Sequence, residues 1–115
     1  MAKPKAPENI FCSIDETLEF AVVKWDQVTE DTDDTATTVL SYKVYRATKS
    51  NLNDMQLVAS VTTLDINSKI DTIYVDKDVD LIFNNYYKVT ATNADGESDA
   101  SDIAFDLLKL DLQIR

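Results

Sequence analysis

Apolar and polar residues alternate with a period of two in run after run of this chain, the spacing of strands with one buried face. Over residues 85–101, Tyr87, Val89 and Ala91 alternate with Lys88, Thr90 and Thr92, in a stretch dense in residues that suit a pleated surface. The run closes on Asn93-Ala94-Asp95-Gly96, and Asp-Gly between two strand-like runs predicts a hairpin, because glycine enters positive φ without a Cβ clash. Residues 98–105 then form the return strand. Residues 9–14 give a first strand holding Cys12 as a small buried hydrophobe. Residues 18–26 give a second, with Ala21, Val23 and Trp25 on one face and Phe20, Val22 and Lys24 on the other. Residues 39–47 place Leu40, Tyr42 and Val44 on one face, and shorter strands follow over 55–62 and 73–76.

Between these runs the chain is polar. Residues 1–8 carry both prolines and two lysines, and read as an extended arm. Residues 27–38 contain Glu30, Asp31, Asp33 and Asp34 and no base. Spaced carboxylates can hold calcium, but calcium loops add a glycine for the sharp turn, so a solvated acidic loop is the expectation here. Seven strand-like runs without a helical period predict an all-β sandwich.

Several details resemble a fibronectin type III domain of the bacterial and phage kind. They are the Tyr87-x-Val89-x-Ala91-x-Asn93 strand with Gly-Glu-Ser after it, Trp25 late in the second strand, and Tyr42-Lys-Val-Tyr45 in the third. The order Leu57-Val-Ala-Ser-Val-Thr62, Tyr74-Val-Asp76 and then the hairpin fits the same pattern. The resemblance spans residues 7–107 and implies a seven-stranded antiparallel immunoglobulin-like sandwich with a core of Trp25, Tyr42, Val44, Tyr87, Val89 and Ala91. It divides the chain into an arm (1–8), the domain (9–107) and an amphipathic C-terminal strand or tail (108–115). One position departs. The family places a tyrosine six residues before the alanine that is Ala91 here, and this chain has Asn85, so the corner before that strand is built differently or a neighbouring tyrosine serves it.

Two sets of apolar residues lie outside that core. Phe20 and Val22 fall on the outer face of the second strand, either covered by a neighbouring loop or forming a contact surface. Leu108, Leu110, Leu112 and Ile114 alternate strictly with polar residues. Such a segment either extends the sheet of its own domain or docks on a partner by strand addition.

The chemistry is sparse. With no histidine, one cysteine and one glycine in 115 residues, the chain has no Ser-His or Cys-His pair, no phosphate-cradling loop, no disulfide and no His/Cys zinc set. No enzyme activity and no cofactor is expected. Twenty-one acids against eleven bases give a net charge of −10, which repels phosphate backbones and argues against nucleic acid as a partner. No run of about 18 apolar residues is present to cross a membrane, and residues 1–11 lack a secretion signal's apolar core. A protein made in the host cytoplasm and built into a phage particle is the expectation, a decoration, neck or tail component contacting other virion proteins or copies of itself. The alternative is an adhesion module for carbohydrate or protein, cytoplasmic or at the cell surface, with Tyr45 and Tyr86 as outward aromatics for a sugar.

Overall fold

A computed structural model describes residues 2–15, 17–48, 53–79 and 84–106. Among the described residues, eight strands form two antiparallel sheets. The first sheet joins β1 (Phe11–Asp15), β2 (Phe20–Lys24) and β5 (Ile73–Asp76) in the order β1-β2-β5. The second runs β4 (Gln56–Val61), β3 (Ser41–Thr48), β6 (Asn85–Asn93) and β7 (Gly96–Glu97), with β8 (Ala104–Phe105) also paired to β6. The described residues contain no helix, and the architecture is an immunoglobulin-like sandwich.

The core follows from the alternation. Cys12 and Ile14 of β1, with Ala21 and Val23 of β2, face Tyr42 and Val44 of β3 and Tyr87, Val89 and Ala91 of β6. Trp25 lies just past β2, buried, its ring edge-on to Tyr42 at 5.4 Å between centroids. The Tyr42 hydroxyl accepts from Val28 N at 2.9 Å and so ties the start of the long 27–38 loop to the core. Leu40 does not join Tyr42 and Val44. It precedes β3, its N–H donates to Thr92 O at 2.7 Å, and its side chain is 54 % exposed.

The return strand is broken, and the break is chemical. Asn93 pairs with Gly96 across an Ala94–Asp95 turn, with Gly96 at φ +134°, a value that side chains disfavour. Beyond Glu97 the two serines replace ladder carbonyls. Ser98 Oγ accepts from Ala91 N and Ser101 Oγ from Val89 N, each at 2.9 Å, while their own N–H groups donate back to Ala91 O and Val89 O. Three residue steps on this strand match two on β6 from Ser98 to Ser101, and again from Ser101 to Ala104, so two extra residues interrupt the expected 98–105 strand before Ala104 and Phe105 come opposite Tyr87 and Tyr86.

The arm is held by its own domain. Lys5 N donates to Glu30 O and Thr32 N to Lys3 O, both at 3.0 Å, so residues 3–5 lie strand-like against the acidic loop. Lys5 also pairs with Glu30 at 2.9 Å and with Asp34 at 2.5 Å. Asp31 is buried, its Oδ1 accepting from Asp33 N and Thr35 N, in place of a freely solvated carboxylate. The acidic loop is solvated as expected at Glu30, Asp33 and Asp34, while Asp31 is buried, and the loop also clamps the arm.

Candidate functional site: an apolar sheet face and a polar core

On the first sheet, every second residue points away from the core. Register sets these outer side chains in rows: Phe11 beside Lys24 and Ile73, Ser13 beside Val22 and Val75, Asp15 beside Phe20. Phe11 is 57 % exposed, Ile73 42 % and Val75 40 %, and Phe20 and Val22 are half-buried. The two residues singled out from sequence thus sit in a face with three more exposed apolar side chains. Phe11, Ile73 and Val75 were not legible as a group, because only the β1-β2-β5 register brings them together. Leu108, Leu110, Leu112 and Ile114 lie outside the described residues.

The outer face of the second sheet is differently made. Glu97 Oε2 accepts from Tyr45 Oη at 2.5 Å and from Thr90 Oγ1 at 2.6 Å, bonds that hold its carboxyl below the usual range. Lys88 Nζ stands 5.2 Å over the Tyr45 ring, and Tyr86 packs on Phe105 with centroids 4.9 Å apart. Both tyrosines are therefore engaged by neighbours on their own sheet, the arrangement of cross-strand packing and not of an open stacking platform.

Between the sheets lies a polar cluster. Asp76 Oδ2, at the end of β5, accepts from Tyr87 Oη and from Arg46 Nη1, each at 2.6 Å, and its Oδ1 accepts from Asp78 N at 3.0 Å. Asp76 and Tyr87 are buried, and Arg46 reaches them from β3 with part of its side chain in solvent. This links one sheet to the other beside the wholly buried Asn85, so the tyrosine that bonds across the core is Tyr87, two residues further along β6. Burial first, then the bond to Asp76, pushes the Tyr87 phenol well above its ordinary range. Burial likewise raises Tyr42, and burial with the nearby Asp106 and Asp76 carboxylates pushes Cys12 up from 9.0 to about 12.

These shifts fix a pH dependence. Each group stays protonated in the fold while its unfolded counterpart ionises, so its contribution is complete below the unfolded value and is lost as pH rises above it. Stability is expected to fall from about pH 9, where unfolded cysteine ionises, and more steeply above about pH 10 as unfolded tyrosines follow. Thermal unfolding between pH 8 and 12 checks this. Tyr87→Phe should flatten the upper part of the curve, and an unchanged slope would show that Tyr87 ionises as freely in the fold as outside it.

Among the described residues no three His, Cys, Asp or Glu side chains converge to hold a metal ion. No family model matches the sequence, and no curated protein matches it. Solved structures do. A Fn3-like protein from Clostridium thermocellum is similar over 89 % of this chain and 90 % of its own, at 24 % identity and a TM-score of 0.65. The structure of the titin kinase and its flanking domains matches 99 % of this chain with 19 % of its own, at 16 % identity and a TM-score of 0.76. The FN3tt structure matches at 16 % identity over 92 % of this chain and 95 % of its own, with a TM-score of 0.64. At these identities the likeness is one of fold, and the fold is that of fibronectin type III domains.

Proposed function

We propose that this chain is a non-enzymatic interaction domain that docks on another protein through the outer face of β1, β2 and β5. The observation that carries the reading is the cluster of Phe11, Phe20, Val22, Ile73 and Val75 on one sheet face. Burying even half of such a face removes several apolar side chains from water, at roughly 25 cal/mol per Å2 before the costs of association. Lys24 stands between Phe11 and Ile73, so the matching surface is apolar with a carboxylate opposite Lys24. The finer reading is an accessory component of a phage particle, with another virion protein as the partner. Its support is the resemblance of residues 57–101 to bacterial and phage members of the fold family.

The test uses Val22→Lys together with Phe11→Asp, both on the outer face and clear of the core. The variant is expected to unfold at nearly the same temperature and to be lost from particles that retain the unaltered chain on a density gradient. A variant that still travels with particles would remove this face from the reading. An unaltered chain that never does so would remove the virion and leave the docking face to be tested on other partners.

A further inference from the structure

The end of the domain opposite its exit carries a second apolar surface, and it does not depend on the docking face above. A cleft of about 880 Å3 opens where the 27–38 loop, residues 64–70 and the Ala94–Asp95 turn meet. That volume lies within the range of about 300–1,000 Å3 typical of ligand clefts. Val28, Val39, Leu40 and Ile70 line it, and Leu64 stands on its rim, 61 % exposed. Beside it Ile66 is 98 % exposed. The loop that presents Ile66 is firmly built: Asp65 N donates to Lys69 O at 2.7 Å, and Asp65 Oδ1 accepts from Asn67 N and Lys69 N. Thr63 and Asp71 close its base through a backbone bond and a side-chain bond, each at 2.8 Å. An isoleucine held out by so many hydrogen bonds is displayed, not frayed.

The chain itself contains a segment of matching chemistry. Residues 107–115 alternate Leu108, Leu110, Leu112 and Ile114 with Lys109, Asp111, Gln113 and Arg115. The segment carries two bases and one acid, and the cleft's lining holds one charge of each sign, Lys69 and Asp95, so the match between them is apolar. Its starting point decides which copy it can reach. Phe105 pairs with Tyr86 at the beginning of β6, and Asp106 Oδ2 accepts from Ile14 N at 3.0 Å, near the end of β1. The cleft lies at the far end of β6, beyond Asn93. Seven strand steps from Tyr86 to Asn93 span about 24 Å, and nine extended residues reach at most about 32 Å. Within one chain, almost the whole segment would be consumed in the return, and its leucines could not enter the cleft.

We infer that residues 107–115 of one copy occupy the cleft of a second copy, joining the domains head to tail. Such an interface is heterologous: each copy offers a segment at one end and a cleft at the other, so association runs on into a series unless a rotation closes it into a ring. The leucine side enters against Val39, Leu40 and Ile70, and Leu64 and Ile66 fold over it from the rim.

Complementation of two full-length variants tests this. Leu110→Lys with Leu112→Lys spoils the segment, and Leu64→Lys with Ile66→Asp spoils the cleft; the cleft positions are exposed, so the sandwich is untouched. In sedimentation, the unaltered chain is expected to grow in average mass with concentration. Each variant alone should associate roughly tenfold or more weakly, and an equimolar mixture should stop at a one-to-one pair. Adding unlabelled cleft variant to isotope-labelled segment variant should move the amide signals of Leu40, Leu64 and Ile70. The inference is overturned by an unaltered chain that stays monomeric at all concentrations, by a segment variant that associates as well as the unaltered chain, by a mixture that stays monomeric, or by shifts that fall on Ser13, Val22 and Val75 instead.

Discussion

Replacing Asp76 by alanine is expected to destabilise the domain by about 3–5 kcal/mol, the cost of breaking a buried charged pair and leaving its partners behind. Tyr87 Oη has no route to water, so its lost acceptor alone carries a penalty of about 1–3 kcal/mol. Arg46 suffers less, since part of its side chain already reaches solvent. The loss is a large share of the roughly 5–15 kcal/mol that holds a domain together. Urea unfolding followed by circular dichroism reads it directly. Two further variants separate the causes. Asp76→Asn keeps an acceptor for Tyr87 and should cost clearly less than alanine. Combining Asp76→Leu with Arg46→Met and Tyr87→Phe removes both side-chain partners at once and should recover most of the loss, because only the N–H of Asp78, an exposed residue, is left without its acceptor. A cost below about 1 kcal/mol for Asp76→Ala would mean that the link between the sheets is dispensable, contrary to its burial.

That cluster also marks where sequence reasoning stopped. Alternation alone identifies the faces carrying Tyr42, Val44, Tyr87, Val89 and Ala91, because a strand with one face buried must place them together. It cannot say that Asp76 belongs inside. A carboxylate in Tyr-Val-Asp reads as the end of a strand, and only the pairing of Ala21 with Asp76 sets it against Tyr87. Ser98 and Ser101 are similar. Their spacing of three breaks the period of two, yet each hydroxyl substitutes for a missing ladder carbonyl, so the strand passes through a bulge that its composition does not announce. Leu40 fails for the opposite reason. It keeps the period, but the strand has not begun there, and its side chain belongs to the cleft at the loop end.

The surfaces were legible only in outline. Phe20 and Val22 stand out because they put apolar groups on the wrong side of an alternating strand, a signal that needs no partner strand. Phe11, Ile73 and Val75 give no such signal alone, and become a face through the pairing of β1 and β5 with β2. Leu64 and Ile66 sit in a stretch without any period, where an apolar residue carries no direction until hydrogen bonds fix the loop. The arm shows the same limit: Lys5 matches the acids of the 27–38 loop in charge, but charge over a gap of 25 residues does not predict contact.

Trp25→Ala is expected to cost about 3–5 kcal/mol, the range for deleting a buried indole. The ring is 4 % exposed and meets Tyr42 edge-on, a pairing worth about 0.5–1.5 kcal/mol beyond the area it buries. The only tryptophan is removed with the mutation, so unfolding is best followed by circular dichroism. Tyr42→Phe isolates a second part of the same support, since it keeps the ring and loses only the bond from Val28 N. A double-mutant cycle of Trp25→Ala with Tyr42→Ala, which removes the ring as well, should return a coupling of about 0.5–3 kcal/mol, the range for residues in contact. Tyr42 also lines the cleft, so loss of Trp25 should reach that end of the domain as well: amide exchange at Val28 and Val39 should quicken more than at Val22 or Val75. A Trp25→Ala chain that unfolds within 1 kcal/mol of the unaltered one would show that Tyr42 is held by its strand alone, and would free the cleft's shape from the core beneath it.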